Sequence, residues 1–171
     1  VLFYFDSSAL AKAYIQEVGT TIVEYILKHT LKGQWCALTM GLLETVSIFV
    51  RKKNGGVISA KFYRASLQAF RKDFFENAEV HKVEATDDLA VEALPLIEKH
   101  SINATDAVVL RSALDINAHE LEQGNELLLL TADKRLVTAA EGEGLRVINP
   151  EAATLVEVEA LLAPASPSAS E

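Results

Sequence analysis

The chain has 171 residues, half of them apolar, with a net charge of −8. That length and composition fit one domain with a core of its own and exclude a natively disordered chain. The apolar runs fall far short of the roughly 20 residues that span a bilayer, no basic n-region or small-residue cleavage site opens the chain, and Cys36 is the sole cysteine. No membrane span, secretory signal or intrachain disulfide is therefore expected, as for a cytoplasmic protein.

Periodicity predicts alternating strands and helices. Residues 1–5 read as a buried strand, 7–16 and 19–31 as helices, and 35–38 as a second strand. Thr39 is expected to cap a helix over 40–53, with Leu42, Val46, Phe49 and Val50 on one apolar stripe. Asn54-Gly55-Gly56 breaks it. A long helix follows to about residue 76, then a strand over 79–83. Residues 87–100 form a helix that Pro95 is expected to kink or split. A helix over 104–119, a strand over 126–130, a helix over 134–142 and a strand over 145–148 complete the pattern. Residues 1–150 thus form one domain, 151–163 a C-terminal helical extension, and 164–171 a disordered tail. Such alternation means an α/β sandwich with a mainly parallel sheet. Cys36, Trp35 and the other aromatic residues are expected in the core, and His29, His81, His100 and His119 show no metal-ligand spacing.

The charge is unevenly spread. Residues 1–114 carry 13 basic and 13 acidic groups, and residues 115–171 carry 3 and 11. The acidic excess lies in the last third, so it does not exclude a nucleic-acid partner. Arg51, Lys52, Lys53, Lys61, Arg64, Arg71 and Lys72 share one stretch without an acid, a basic helical hairpin suited to phosphates.

Two acids stand where a strand gives way to a helix. Asp6 follows the apolar run 1–5 and precedes Ser7-Ser8. Asp133 follows 127–130 by way of Thr131-Ala132. Either can be a plain N-cap, and capping does not preclude metal binding. In an open parallel sheet the crevice beyond the carboxyl ends of the strands binds ligands. Carboxylates meeting there repel unless a cation or a shared proton holds them. Glu44 has Met40, Gly41, Ser47 and Ile48 at helical spacings and no basic neighbour. Asp106 has Ile102, Asn103, Val109 and Leu110, and is also a third-position acid in a helix capped by Asn103. Four acids from four segments suit a hard cation that takes oxygen ligands and keeps waters.

At these residues the chain resembles the PIN-domain ribonucleases, in their VapC toxin branch. The matching segments are Tyr4-Phe5-Asp6-Ser7-Ser8-Ala9-Leu10-Ala11-Lys12, Leu43-Glu44-Thr45-Val46, Thr105-Asp106-Ala107-Val108-Val109-Leu110 and Leu130-Thr131-Ala132-Asp133-Lys134-Arg135-Leu136. Their order and spacing cover about residues 1–150, and the last block is the most specific. The resemblance implies a PIN-like three-layer sandwich with a central, mainly parallel sheet flanked by helices. It implies a catalytic Mg²⁺ or Mn²⁺ site formed by Asp6, Glu44, Asp106 and Asp133, with Thr131 at the hydroxyl position beside the fourth acid; Thr131 and Ser7 are expected to orient the carboxylates. It implies hydrolysis of RNA to 3′-hydroxyl and 5′-phosphate ends, a cognate antitoxin and a homodimer. RNA contacts are expected from Lys12, Arg51, Lys52, Lys53, Lys134 and Arg135. The helix of Asp106 departs from the pattern, with Val108-Val109 where a His is often found, and the acidic C-terminal extension is a second departure.

Three other readings compete. A PIN-fold module that binds partners with little or no nuclease activity has no use for the acid quartet. A phosphoacceptor receiver domain needs an Asp directly after a middle strand, where Glu84-Ala85-Thr86 stand. A haloacid-dehalogenase-type phosphatase needs an Asp two residues after Asp6, where Ser8 stands.

Overall fold

Strand residues alternate between two cores, because successive side chains of a strand point to opposite faces. In the computed structural model, which describes residues 1–163, five strands form one all-parallel sheet. They are β1 (Leu2–Phe5), β2 (Trp35–Leu38), β3 (His81–Val83), β4 (Leu127–Leu130) and β5 (Arg146–Ile148), in the order β3-β2-β1-β4-β5. Phe3, Phe5, Trp35, Ala37, Leu128 and Leu130 face one helical layer, and Leu2, Tyr4, Cys36, Leu38, Leu127 and Leu129 face the other. Burial on both faces explains why β1 and β4 read as unbroken apolar runs.

Eight α-helices lie among the described residues: α1 (Ser7–Tyr14), α2 (Thr20–His29), α3 (Thr39–Asn54), α4 (Ala60–Phe70), α5 (Asp87–His100), α6 (Ala104–Glu122), α7 (Lys134–Gly142) and α8 (Leu155–Leu162). The first core takes Leu10, Ile26, Leu42, Phe49, Phe70 and Val158 from α1, α2, α3, α4 and α8. The second takes Leu96, Leu110 and Leu136 from α5, α6 and α7. The expected three-layer α/β sandwich is therefore present. Among the described residues no helix is long and apolar enough to cross a membrane.

Several local expectations change. Thr39 is not the cap of α3: Leu38 occupies that position, and the Thr39 hydroxyl donates to the Val83 carbonyl at 2.9 Å, tying α3 to β3. The stripe on α3 buries Gly41, Leu42, Thr45 and Phe49, with Val46 and Val50 only half-buried. The helix expected to reach residue 76 widens after Phe70 into a π-helical turn, Arg71–Phe75, where Phe74 stacks on Trp35 at 5.5 Å. Pro95 neither splits nor ends α5. The C-terminal helix starts at Leu155 rather than 151, because Thr154 and Glu157 form a reciprocal capping box there. The expected tail, 164–171, lies outside the described residues.

The C-terminal segment is bound to α1 and α2. Gly19, at φ +90°, lies under Pro150 so closely that an added Cβ would sit 2.7 Å from the Pro150 carbonyl oxygen. Nearby, the Lys12 ammonium donates to Glu151 at 2.6 Å and lies 3.5 Å from Glu17. Gly19→Ala combines left-handed strain with this clash, so it is expected to destabilise the fold by about 2 kcal/mol or more. Urea unfolding measures this, and an unchanged midpoint would contradict the close approach.

Candidate active site at the sheet switch point

The chain runs outward from β1 through β2 to β3, then returns to place β4 on the other side of β1. The strand order thus reverses between β1 and β4, the position where open α/β sheets bind ligands. Parallel pairing aligns Phe5 with Leu130. The residues that follow, Asp6 and Thr131, meet across the gap, and the Thr131 hydroxyl donates to Asp6 Oδ2 at 3.0 Å.

Asp6 caps α1, accepting from the Ser8 amide at 3.2 Å. Its carboxylate also accepts from the Ser8 hydroxyl at 2.6 Å. The Ser8 hydroxyl in turn accepts from the Ala132 amide at 2.8 Å, and the Thr131 hydroxyl from the Asp133 amide at 3.1 Å. Two hydroxyls therefore fix one buried carboxylate to two strand ends, which holds it in one orientation. Asp133 caps α7, with Oδ1 accepting from the Arg135 and Leu136 amides at 2.8 and 3.2 Å. Its other oxygen makes none of these capping bonds. Ser7 donates weakly to Glu44 on α3 at 3.3 Å, and its hydroxyl lies 3.5 Å from Asp6. Asn103 caps α6 and donates back to Asp106 Oδ2 at 2.8 Å. Capping and site-building thus coincide at Asp6 and Asp133, and Asp106 is bonded to the cap of its own helix, Asn103.

The four acids line one cavity of about 210 Å³, with Ser7, Ser8, Ile48, Arg51 and Asn103. Asp106 records the crowding. Desolvation by burial, then the charges of Asp6, Asp133 and Glu44, push its carboxyl up to about 7, against a smaller opposing effect of Arg135. As placed, no three acid, imidazole or thiol side chains among the described residues stand close enough to ligate one ion. The donor set nonetheless suits Mg²⁺ or Mn²⁺: carboxylate oxygens, excess negative charge, and room for the waters that Mg²⁺ retains alongside one or two carboxylates.

The six expected RNA-contacting cations are not equivalent. Lys12 is 4% exposed and held by Glu151 and Glu17, so it is corrected from an RNA contact to a buried structural cation. Lys52 pairs with Glu17, and Lys53 stands over the Tyr63 ring at 4.8 Å. The hairpin's cations are therefore partly engaged within the fold. Arg51, Lys134 and Arg135 are exposed and form no ion pair among the described residues. Only Arg51 of the six lines the acid cavity. Sequence reasoning missed Ser8 as the link between Asp6 and Thr131. An Asp followed two residues later by Ser, at a strand-to-helix junction, was the available signal.

No family model and no curated protein matches the sequence. Solved structures match in fold. PAE2754 from Pyrobaculum aerophilum has a TM-score of 0.58 and 16% identity, covering 95% of this chain and 93% of that one. A toxin-antitoxin complex from Klebsiella pneumoniae has 0.53 and 15%, covering 86% and 96%. FitAcB from Neisseria gonorrhoeae has 0.59 and 12%, covering 89% and 100%. At these identities the likeness concerns the fold. The architecture is the PIN-like three-layer sandwich.

The raised Asp106 carboxyl has a consequence for stability. An unfolded Asp ionises near 3.9, whereas Asp106 in the fold keeps its proton to about 7. Between those values the folded state binds more protons, so this residue's contribution to stability falls as pH rises through the window. Asp106→Asn is expected to stabilise the metal-free protein at about pH 8 by on the order of 1 kcal/mol, a value discounted for partial exposure. The gain is expected to vanish near pH 4. Urea denaturation at both pH values measures it, and a destabilised variant at the higher pH would contradict the crowding.

Proposed function

We propose that this protein is a Mg²⁺- or Mn²⁺-dependent endoribonuclease of VapC type, the toxin of a toxin–antitoxin pair. The convergence of Asp6, Glu44, Asp106 and Asp133 on one cavity at the switch point carries this reading. The fold shared with a toxin-antitoxin complex from Klebsiella pneumoniae supports the toxin role and an antitoxin partner. A cytoplasmic homodimer is part of the same proposal.

Asp6 and Asp133 would be direct ligands of a divalent ion, Asp106 a direct or water-bridged one. Bound there, such an ion would supply Lewis-acid polarisation of the phosphoryl oxygens and an acidified water. Ser8 and Thr131 hold Asp6 in orientation, so no side-chain reorganisation of that carboxylate is needed during the reaction. Glu44, half-buried and bonded only weakly to Ser7, would accept a proton from an attacking water. Arg51 at the cavity wall supplies positive charge for the scissile phosphate.

Purified protein incubated with total RNA, with and without Mn²⁺, tests the reading, followed by mapping of the new ends. Cleavage is expected only with metal, leaving 3′-hydroxyl and 5′-phosphate ends. Asp6→Asn keeps side-chain size but removes a charged ligand, and is expected to lower the rate at least a hundredfold (about 3 kcal/mol of barrier) with the fold intact. Wild-type cleavage by that variant would reject the assigned chemistry, and no cleavage by the unaltered protein with metal would favour a partner-binding module.

The same site is expected to bind Mn²⁺ more weakly below about pH 7, because ligand carboxylates must lose protons and Asp106 holds its proton to about that value. Calorimetric titration at about pH 5.5 and 7.5 measures the trend. Equal affinity at both would remove Asp106 from the metal site.

A further inference from the structure

The chain is acidic overall, yet a second cavity beside the acid site has no acid in its lining. It encloses about 340 Å³ and is lined by His100, Lys134, Arg135, Thr138 and Ala139. Lys134 and Arg135 open α7 and follow directly on Asp133, which lines the acid cavity. The linings of the two cavities are therefore adjacent in sequence at the start of one helix. The acid bonded to His100 of this lining is already engaged: Glu143 accepts from His100 Nε2 at 2.5 Å and from Lys99 at 2.8 Å. Those two bonds hold the Glu143 carboxyl below the ordinary glutamate range. Lys134 and Arg135 form no ion pair among the described residues. An acid cavity suited to a cation thus adjoins a basic cavity suited to an anion.

We propose that the cavity of His100, Lys134 and Arg135 is a phosphate subsite, which holds an RNA phosphate neighbouring the scissile one. This rests on the nuclease reading of the acid site. A ribonucleotide chain lying across the acids carries further phosphates on either side of the cut, and the cations of α7 stand on one of those sides. The Thr138 hydroxyl donates to the Lys134 carbonyl at 3.0 Å, so its proton is not free for the ligand. Among the described residues no Phe, Tyr or Trp lines the cavity, and the one ring there, His100, is tied to Glu143 through Nε2. Recognition there acts through charge on the backbone, which sets the register of the chain and carries no base information. The substrate class follows: RNA long enough to place a phosphate beyond the cut, without a base requirement at that position.

Binding and cleavage separate this proposal from the nuclease reading. Binding is measured by fluorescence anisotropy of a short labelled oligoribonucleotide with Asp6→Asn protein, with and without a second change, Lys134→Gln or His100→Gln. Both Gln variants keep a polar side chain, and unfolding midpoints confirm their folds. Between about 50 and 200 mM KCl, Lys134→Gln is expected to weaken binding several-fold and to lower the log–log salt slope by roughly 0.7, one single-strand phosphate contact. A scan of neutral methylphosphonate linkages is expected to find one position that weakens binding to the parent and has no further effect in Lys134→Gln. An unchanged slope, with identical scans in parent and variant, overturns the subsite. Metal-dependent cleavage alongside that result would leave the nuclease reading standing. A position-specific scan without cleavage by the otherwise unaltered protein would support the subsite as an RNA contact and reject the nuclease.

Discussion

The parallel pairing of β1 with β4 is the constraint on which the site depends. Its register, from Leu2 with Leu127 to Phe5 with Leu130, brings two strand ends level although 125 residues separate Asp6 from Thr131. The Asp6 amide donates to the Leu130 carbonyl at 2.9 Å, extending the ladder one step into the site. A slip of one residue would turn Phe3 and Phe5 into the opposite core and move Asp6 off Thr131 together. The same apolar side chains that stabilise the sheet therefore set the position of the carboxylates. The geometry of this crevice is a consequence of core packing in the two strands beneath it.

Holding acids together costs stability, and the structure shows how that cost is contained. Asp6 is almost fully buried but accepts two hydroxyl hydrogens and one amide hydrogen, so its charge is well solvated by the protein. Asp133 is solvated by the start of α7. Among the described residues Asp106 has a single side-chain donor, Asn103, and it carries the repulsion that remains. The four acids are therefore unequal before any ligand arrives: two are locked, one is weakly held, and one retains a proton near neutrality. The proposed cation would relieve this repulsion on binding and so draw part of its affinity from the fold.

Much of this was legible in the chain, for reasons that differ by residue. Asp6 and Asp133 stood out because buried parallel strands leave unbroken apolar runs, and an acid ending such a run is conspicuous. Glu44 stood out because its helical neighbours include no cation. Asn103 and Asp106 were readable as a cap, and the structure adds that the cap opens on the acid cavity. Lys12 was misread because its partner Glu151 lies 139 residues away, and no local pattern announces a long-range ion pair. Thr39 was misread for a similar reason: its acceptor is the end of β3, a partner that only the sheet order supplies. Local spacing recovers what local chemistry decides, and misses what two distant segments decide together.

Lys12 also shows why the C-terminal segment belongs to the working fold. A buried ammonium is tolerated only when paired, because desolvation of an isolated charge costs several kcal/mol. Here Glu151 and Glu17 share it, and Lys52 of α3 joins through Glu17. Helix α1 is capped by Asp6 and carries Lys12 about one and a half turns on, so the ion cluster fixes α1 from the end opposite the acid site. The cluster also reaches α3, the helix that supplies Glu44 and Arg51. Val158 of α8 packs into the same core as Leu10 of α1. Two of the four acid-bearing segments are thus braced by charges that the linear sequence places far apart, and Glu151, one acid of residues 115–171, is a counter-charge for Lys12, buried near the start of the chain.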